Sequence, residues 1–112
     1  MIPNKMSDTR RGPLLLVALA VVVGGCSDSG LSPVAERGRQ AYQANCIACH
    51  NADPAQPGAI GPALKGSPRE LLEAKVLKGS YPPGYTPKRT TTVMVPIPAV
   101  TPEIPALAEY LR

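Results

Sequence analysis

The chain alternates between apolar stretches with helical periodicity and long loops rich in Pro and Gly, after one uninterrupted apolar block near its start. That block is Leu14 to Val23, preceded by Lys5, Arg10 and Arg11 and followed by Gly24-Gly25. Its 10 residues fall short of the roughly 20 that cross a bilayer. A basic start, an apolar run and small residues in that order predict an export signal over 1–25. Three helices are predicted beyond it. The first runs from about Pro33 to Asn45, the second from about Pro68 to Lys78, and the third from about Pro102 to the end. Each is preceded by a Ser/Thr-Pro pair: Ser32-Pro33, Ser67-Pro68 and Thr101-Pro102. A hydroxyl caps free N–H groups there, and proline suits the first helical position. Glu70 completes a capping box with Ser67. Leu71, Leu72 and Val76 share a face with Lys75, and Gly79 is the expected stop. Ile104, Leu107, Tyr110 and Leu111 form the stripe of the third helix, whose start Pro105 pulls toward itself. Gly38 costs the first helix about 1 kcal/mol against alanine; a close helix crossing beside Tyr42 would account for it.

Residues 51–66 and 79–100 carry no sustained period. Tyr81-Pro82-Pro83-Gly84-Tyr85 and Pro96-Ile97-Pro98 are expected to be extended or turning. No strand pattern and no repeat stands out. The expected fold is therefore all-α, about three helices with long loops. The expected organisation is a signal over 1–25, a polar tether over 26–33 and one domain over 34–112.

Composition sharpens this picture. A chain this short has little core of its own. It has no Trp or Phe and only four Tyr. A bound apolar group would supply the missing bulk. Loss of Lys5, Asp8, Arg10 and Arg11 with the signal lowers the net charge from +4 to +2. That gives no case for nucleic-acid binding. Lys75, Lys78, Lys88 and Arg89 are candidates for a docking patch, against the alternative of a solvated face.

The chemistry lies in Cys46-Ile47-Ala48-Cys49-His50. On a helical turn, positions 46, 49 and 50 share one face. Two thiols there suit the two vinyl groups along a haem edge, and the imidazole suits its iron, so the motif reads as a c-type haem attachment site. The alternatives are a disulfide pair, half a zinc site or two buried thiols. Zinc would need further ligands, and the chain has one His and one other Cys, Cys26. A thioredoxin-like reading needs a βαβ context that is not visible. Val23-Gly24-Gly25-Cys26 resembles a bacterial lipobox, which implies diacylglycerol on Cys26. Arg10-Arg11 is discounted as a twin-arginine signal, because that route carries folded cargo. With Met1 and Met6 lost in the signal, Met94 is the methionine left as a distal ligand. Its other reading is a core residue filling a gap.

Together these residues resemble the class I monohaem cytochromes c over nearly all of residues 34–112. The resemblance rests on Gly38, Tyr42, Cys46-x-x-Cys49-His50, Gly61-Pro62-Ala63-Leu64, Met94 and Leu107-x-x-Tyr110-Leu111. It implies loops wrapping one covalent haem c, with His50 and Met94 on the iron. It implies that the first and last helices cross near Gly38. It also implies that the Pro62 carbonyl accepts from His50 Nδ1–H. Tyr81, Tyr85, Lys88 and Arg89 are candidates to hold the propionates. Val95, where many members have proline, and Pro105 depart from the pattern. The implied function is one-electron transfer between a redox donor and acceptor, not catalysis. It would be performed by a monomer held by lipid on the periplasmic side of a bacterial membrane. A dedicated haem subunit of a periplasmic oxidoreductase is the alternative, and a haem-based gas or redox sensor a third.

Overall fold

The computed structural model describes residues 29–112. The export segment and Cys26 lie outside the described residues. Three helices are present: α1 (Pro33–Asn45), α2 (Arg69–Lys78) and α3 (Ile104–Leu111), with a 3₁₀ segment over Pro98–Glu103. There is no strand among the described residues.

The start of α1 follows from its cap. Ser32 is extended, its Oγ accepts from Ala35 N at 3.1 Å, and Pro33 opens the helix. The expected capping box at α2 is not formed. The N-cap is Pro68, whose carbonyl accepts from Leu71 and Leu72 N. Ser67 is instead drawn into a turn, donating its N–H to Leu64 O at 3.0 Å, and is buried at the cavity wall. Gly79 ends α2 with φ 67°, a left-handed conformation that glycine adopts without a Cβ clash.

The third helix starts later than Thr101-Pro102 suggests. Thr101 donates its hydroxyl to Pro98 O at 2.6 Å and caps nothing. Pro98, Pro102 and Pro105 each lack an N–H, which favours a tight 3₁₀ lead-in over a continuous α-helix. Pro105 then sits in the first turn of α3, where a missing N–H is harmless.

Helices α1 and α3 cross at Gly38, which is buried. A Cβ there would run into the backbone of Ala106 and come within 2.8 Å of Tyr110 Cβ. The crossing thus requires glycine. Tyr42 and Tyr110 pack beside it with ring centroids 5.6 Å apart. Arg37 makes a two-pronged ion pair with Glu103, both contacts 2.7 Å, tying α1 to the 3₁₀ segment. The core comprises Ala41 and Tyr42 of α1, Leu72 and Val76 of α2, Val100, and Ile104, Leu107 and Leu111 of α3. Backbone hydrogen bonds fasten the loops to the helices. Gly66 N donates to Leu111 O at 2.6 Å, and Ile97 N to Val76 O at 2.7 Å.

Candidate functional site

At the end of α1 the backbone curls rather than stops. Cys46 N donates to Tyr42 O, and the N–H groups of Cys49 and His50 turn back to Cys46 O at 3.2 and 2.9 Å. This turn puts Cys46, Cys49 and His50 on one wall of a cavity of about 420 Å³. Both cysteines are free thiols, Cys46 half-buried and Cys49 exposed. Burial pushes the Cys46 thiol up to about 11, so it is protonated at neutral pH.

His50 is held on two sides. Its Nδ1 lies 2.9 Å from the Pro62 carbonyl. A carbonyl only accepts, so Nδ1 carries the proton and Nε2 keeps its lone pair for a metal. Gly61 lies flat against the imidazole. A Cβ there would sit 2.8 Å from Nε2 and closer still to Cε1 and Nδ1. The segment is positioned by its own hydrogen bonds, Gly61 N to Cys49 O and Gly58 N to Gly61 O, both 2.9 Å. The Tyr42 phenol, fully buried, donates to Asn51 O at 2.6 Å and fixes the chain just after His50. Burial raises its pKa to about 12.

The other walls come from the long loops. Met94, half-buried, lines the same cavity as His50. Tyr81 and Tyr85 line it as a stacked pair, centroids 5.5 Å apart and planes 10° off parallel. The stack follows from the turn between them: Tyr85 N donates to Pro82 O at 3.1 Å across Pro83-Gly84, with Gly84 at φ 77°. Proline followed by a positive-φ glycine is the signature of a type II turn. Arg89 lines the cavity as well. Lys88 also reaches it, but donates its ammonium to Ala63 O at 2.8 Å. Sequence reasoning gave no sign of this bond or of the Lys75 ammonium 4.5 Å from the Tyr81 ring centre. Among the described residues no three His, Cys, Asp or Glu side chains cluster to hold a metal ion.

The residues fit a haem. The cavity is mostly walled by apolar side chains, and its volume falls within the roughly 300–1,000 Å³ of cofactor pockets. The imidazole is oriented by a hydrogen bond, as metal-binding histidines commonly are. A glycine leaves room for the ring that no other residue would. Three helices around such a cavity, with C-x-x-C-H on its wall, define a c-type cytochrome domain. The chain belongs to the family described as cytochrome c oxidase, cbb3-type, subunit III, whose model matches residues 33–111. No curated protein and no solved structure matches the chain. The domain implies haem c as cofactor, electron transfer as its chemistry and redox proteins as its partners.

Proposed function

We propose that this protein is a one-electron carrier with a single covalent haem, tethered by lipid on Cys26 at the periplasmic side of a bacterial membrane. The observation that carries the reading is His50, its Nδ1 bonded to Pro62 O at 2.9 Å, on a cavity wall shared with two free thiols and facing a loop that bears Met94. Bound haem c supplies exchange of one electron between ferric and ferrous iron. Cys46 and Cys49 would hold it through thioethers. His50 Nε2 and the Met94 sulfur would hold its iron. The thioether of Met94 favours the reduced state. Pro62 O keeps the imidazole basic and aligned. Tyr81, Tyr85 and Arg89 hold the propionates by hydrogen bond and charge, while Lys88, already bonded to Ala63 O, adds positive charge beside them. The apolar walls exclude water.

The test is spectroscopic. The holoprotein should show a ferric thioether–iron absorption band that disappears in Met94→Ala, and the reduced protein should bind CO slowly. An unchanged band removes Met94 from the iron; rapid CO binding by the parent protein favours a sensor. Mass spectrometry should find one haem on the peptide bearing Cys46 and Cys49, and diacylglycerol on Cys26.

A second reading is favoured by the family description, which names an oxidase subunit. On it the protein is the haem subunit of one oxidoreductase complex. Co-purification of a stoichiometric complex that survives salt would select this reading over the free carrier.

A further inference from the structure

The exposed large apolar side chains among the described residues fall into two groups. Ile47, Ile60, Val93 and Val95 are the first. Ile60, Val93 and Val95 line the cavity, and Ile47 lies between the two cysteines of the motif, so the haem reading accounts for them. Leu31 and Val34 are the second, 38% and 52% exposed. They flank the first residue of α1, at the end opposite the motif, and neither lines the cavity. Leu31-Ser32-Pro33-Val34 is exposed without a break, and three of its four side chains are apolar. The charges nearby do not turn this into a polar surface. From Ser29 to Gln40 the charged residues are Glu36, Arg37 and Arg39. Arg39 is paired with Glu36 and Arg37 with Glu103, so the stretch carries no unpaired charge.

The segment before the helix is held. Ser29 Oγ donates to Glu36 Oε2 at 3.1 Å, and Ser32 Oγ accepts from Ala35 N at 3.1 Å. The polar tether expected over 26–33 is therefore fastened to α1 from Ser29 onward. Three residue steps separate Ser29 from Cys26. At about 3.5 Å per step they reach at most about 10 Å. The headgroup layer on each side of a bilayer is roughly 5–8 Å deep. A lipid on Cys26 thus leaves little slack beyond that layer, and brings the start of α1 to the membrane surface.

Resting on the lipid-anchor reading above, we propose that Leu31, Pro33 and Val34 form a membrane-contact face that inserts among lipid headgroups beside the anchor on Cys26. Apolar side chains brought to the interface by an acyl anchor gain by leaving water. With the neighbouring charges already paired, the contact needs no anionic lipid. A helix rises about 1.5 Å per residue, so the 13 residues of α1 set the haem attachment motif about 20 Å along the axis from the contact. The face thus engages one end of α1 and leaves the cavity at the other end open to partners.

The test is thiol protection on the lipidated holoprotein in phosphatidylcholine vesicles. With Cys26 acylated and Cys46 and Cys49 joined to haem, an introduced cysteine is the one free thiol of the mature chain. Val34→Cys probes the face, and Gln43→Cys, exposed near the far end of α1, is the control. Alkylation by a charged maleimide is timed on vesicles and, without lipid, in the Cys26→Ser background. Val34→Cys should react roughly 10-fold more slowly on vesicles, and Gln43→Cys should change by less than about twofold. Equal reactivity of Val34→Cys on and off the membrane overturns the proposal. Equal slowing of both variants does so too, since the domain then lies along the surface. Vesicles containing phosphatidylglycerol should protect no better; protection seen only with that lipid overturns the apolar contact in favour of a charge-driven one. Concentration-dependent protection of Val34→Cys without vesicles assigns the face to a second copy instead. A haem spectrum matching the parent's shows that each variant is folded. Absence of diacylglycerol from Cys26 overturns the anchor and the proposal together; a lipidated protein with no protection of Val34→Cys overturns the proposal alone.

Discussion

Gly61→Ala is the sharpest single perturbation of the site. The new Cβ would lie 2.8 Å from His50 Nε2 and nearer to two other ring atoms. Ordinary carbon contacts begin near 3.5 Å, so the ring must retreat by about 1 Å. The bond from Nδ1 to Pro62 O is 2.9 Å now. Stretched by that much it passes the roughly 3.2 Å limit of an N–H···O bond. Loss of such a supporting bond typically costs about 10- to 100-fold in metal affinity, or about 1.4–2.8 kcal/mol. A less basic imidazole holds ferric iron less well. If the loss falls mainly on that state, the reduction potential rises by about 60 mV for each tenfold. The assay is a potentiometric titration of the purified holoprotein beside a thermal melt. Gly66→Ala is the control, because its φ is 82° and nothing lies within 4 Å of a Cβ there. It should lose about 1–2 kcal/mol through strain alone and leave the potential where it was. A Gly61→Ala protein with the parent potential would show that the ring is not held by this contact.

Gly38→Ala should destabilise the domain by about 1–3 kcal/mol despite alanine's better helix propensity, since the obstacle is the Ala106 backbone; denaturant unfolding measures it. Tyr42→Phe leaves the Asn51 carbonyl without its 2.6 Å donor and should cost about 1–3 kcal/mol in the same assay. Ser32→Ala removes the cap of α1 and should cost about 1 kcal/mol, with unfolding cooperativity unchanged. Hydrogen bonding from Arg39 lowers the Glu36 pKa from 4.5 to about 2. A depressed carboxylate stabilises the fold above its unfolded pKa, and the gain disappears as pH falls through the folded value. The urea midpoint should therefore drop between about pH 4.5 and 2, less steeply in Glu36→Gln; parallel curves would exclude Glu36 as a contributor.

Much of this architecture is legible in local sequence, because local chemistry decides it. The bounds of α1 follow from Ser32-Pro33 and from the motif that ends it. Gly38 in a helix signals a crossing, and the crossing is there. The cap signals at Ser67 and Thr101 mislead because other demands on those residues prevail. Ser67 is taken into a turn and into the cavity wall, and Thr101 lies within a run of prolines that favours 3₁₀ geometry. The ties between distant segments lie beyond local sequence. Nothing near Arg37 announces Glu103, 66 residues away, and nothing in Lys88 announces the Ala63 carbonyl. Gly61 could be read only as part of a motif; its work as a seat for the imidazole requires the fold.

Of the eight residues in the buried core cluster, Tyr42, Leu72, Val76, Val100, Leu107 and Leu111 also line the cavity. Most of the core cluster among the described residues is therefore also cavity wall. In most domains a substitution can trade robustness against activity, because scaffold and pocket are separate populations of residues. Here the two populations largely overlap. Any ligand of this cavity joins the interior of the protein, and its occupancy adds to folding stability by mass action. Selection for a durable protein and selection for a loaded one then act on the same side chains, and cofactor supply governs how long the chain lasts.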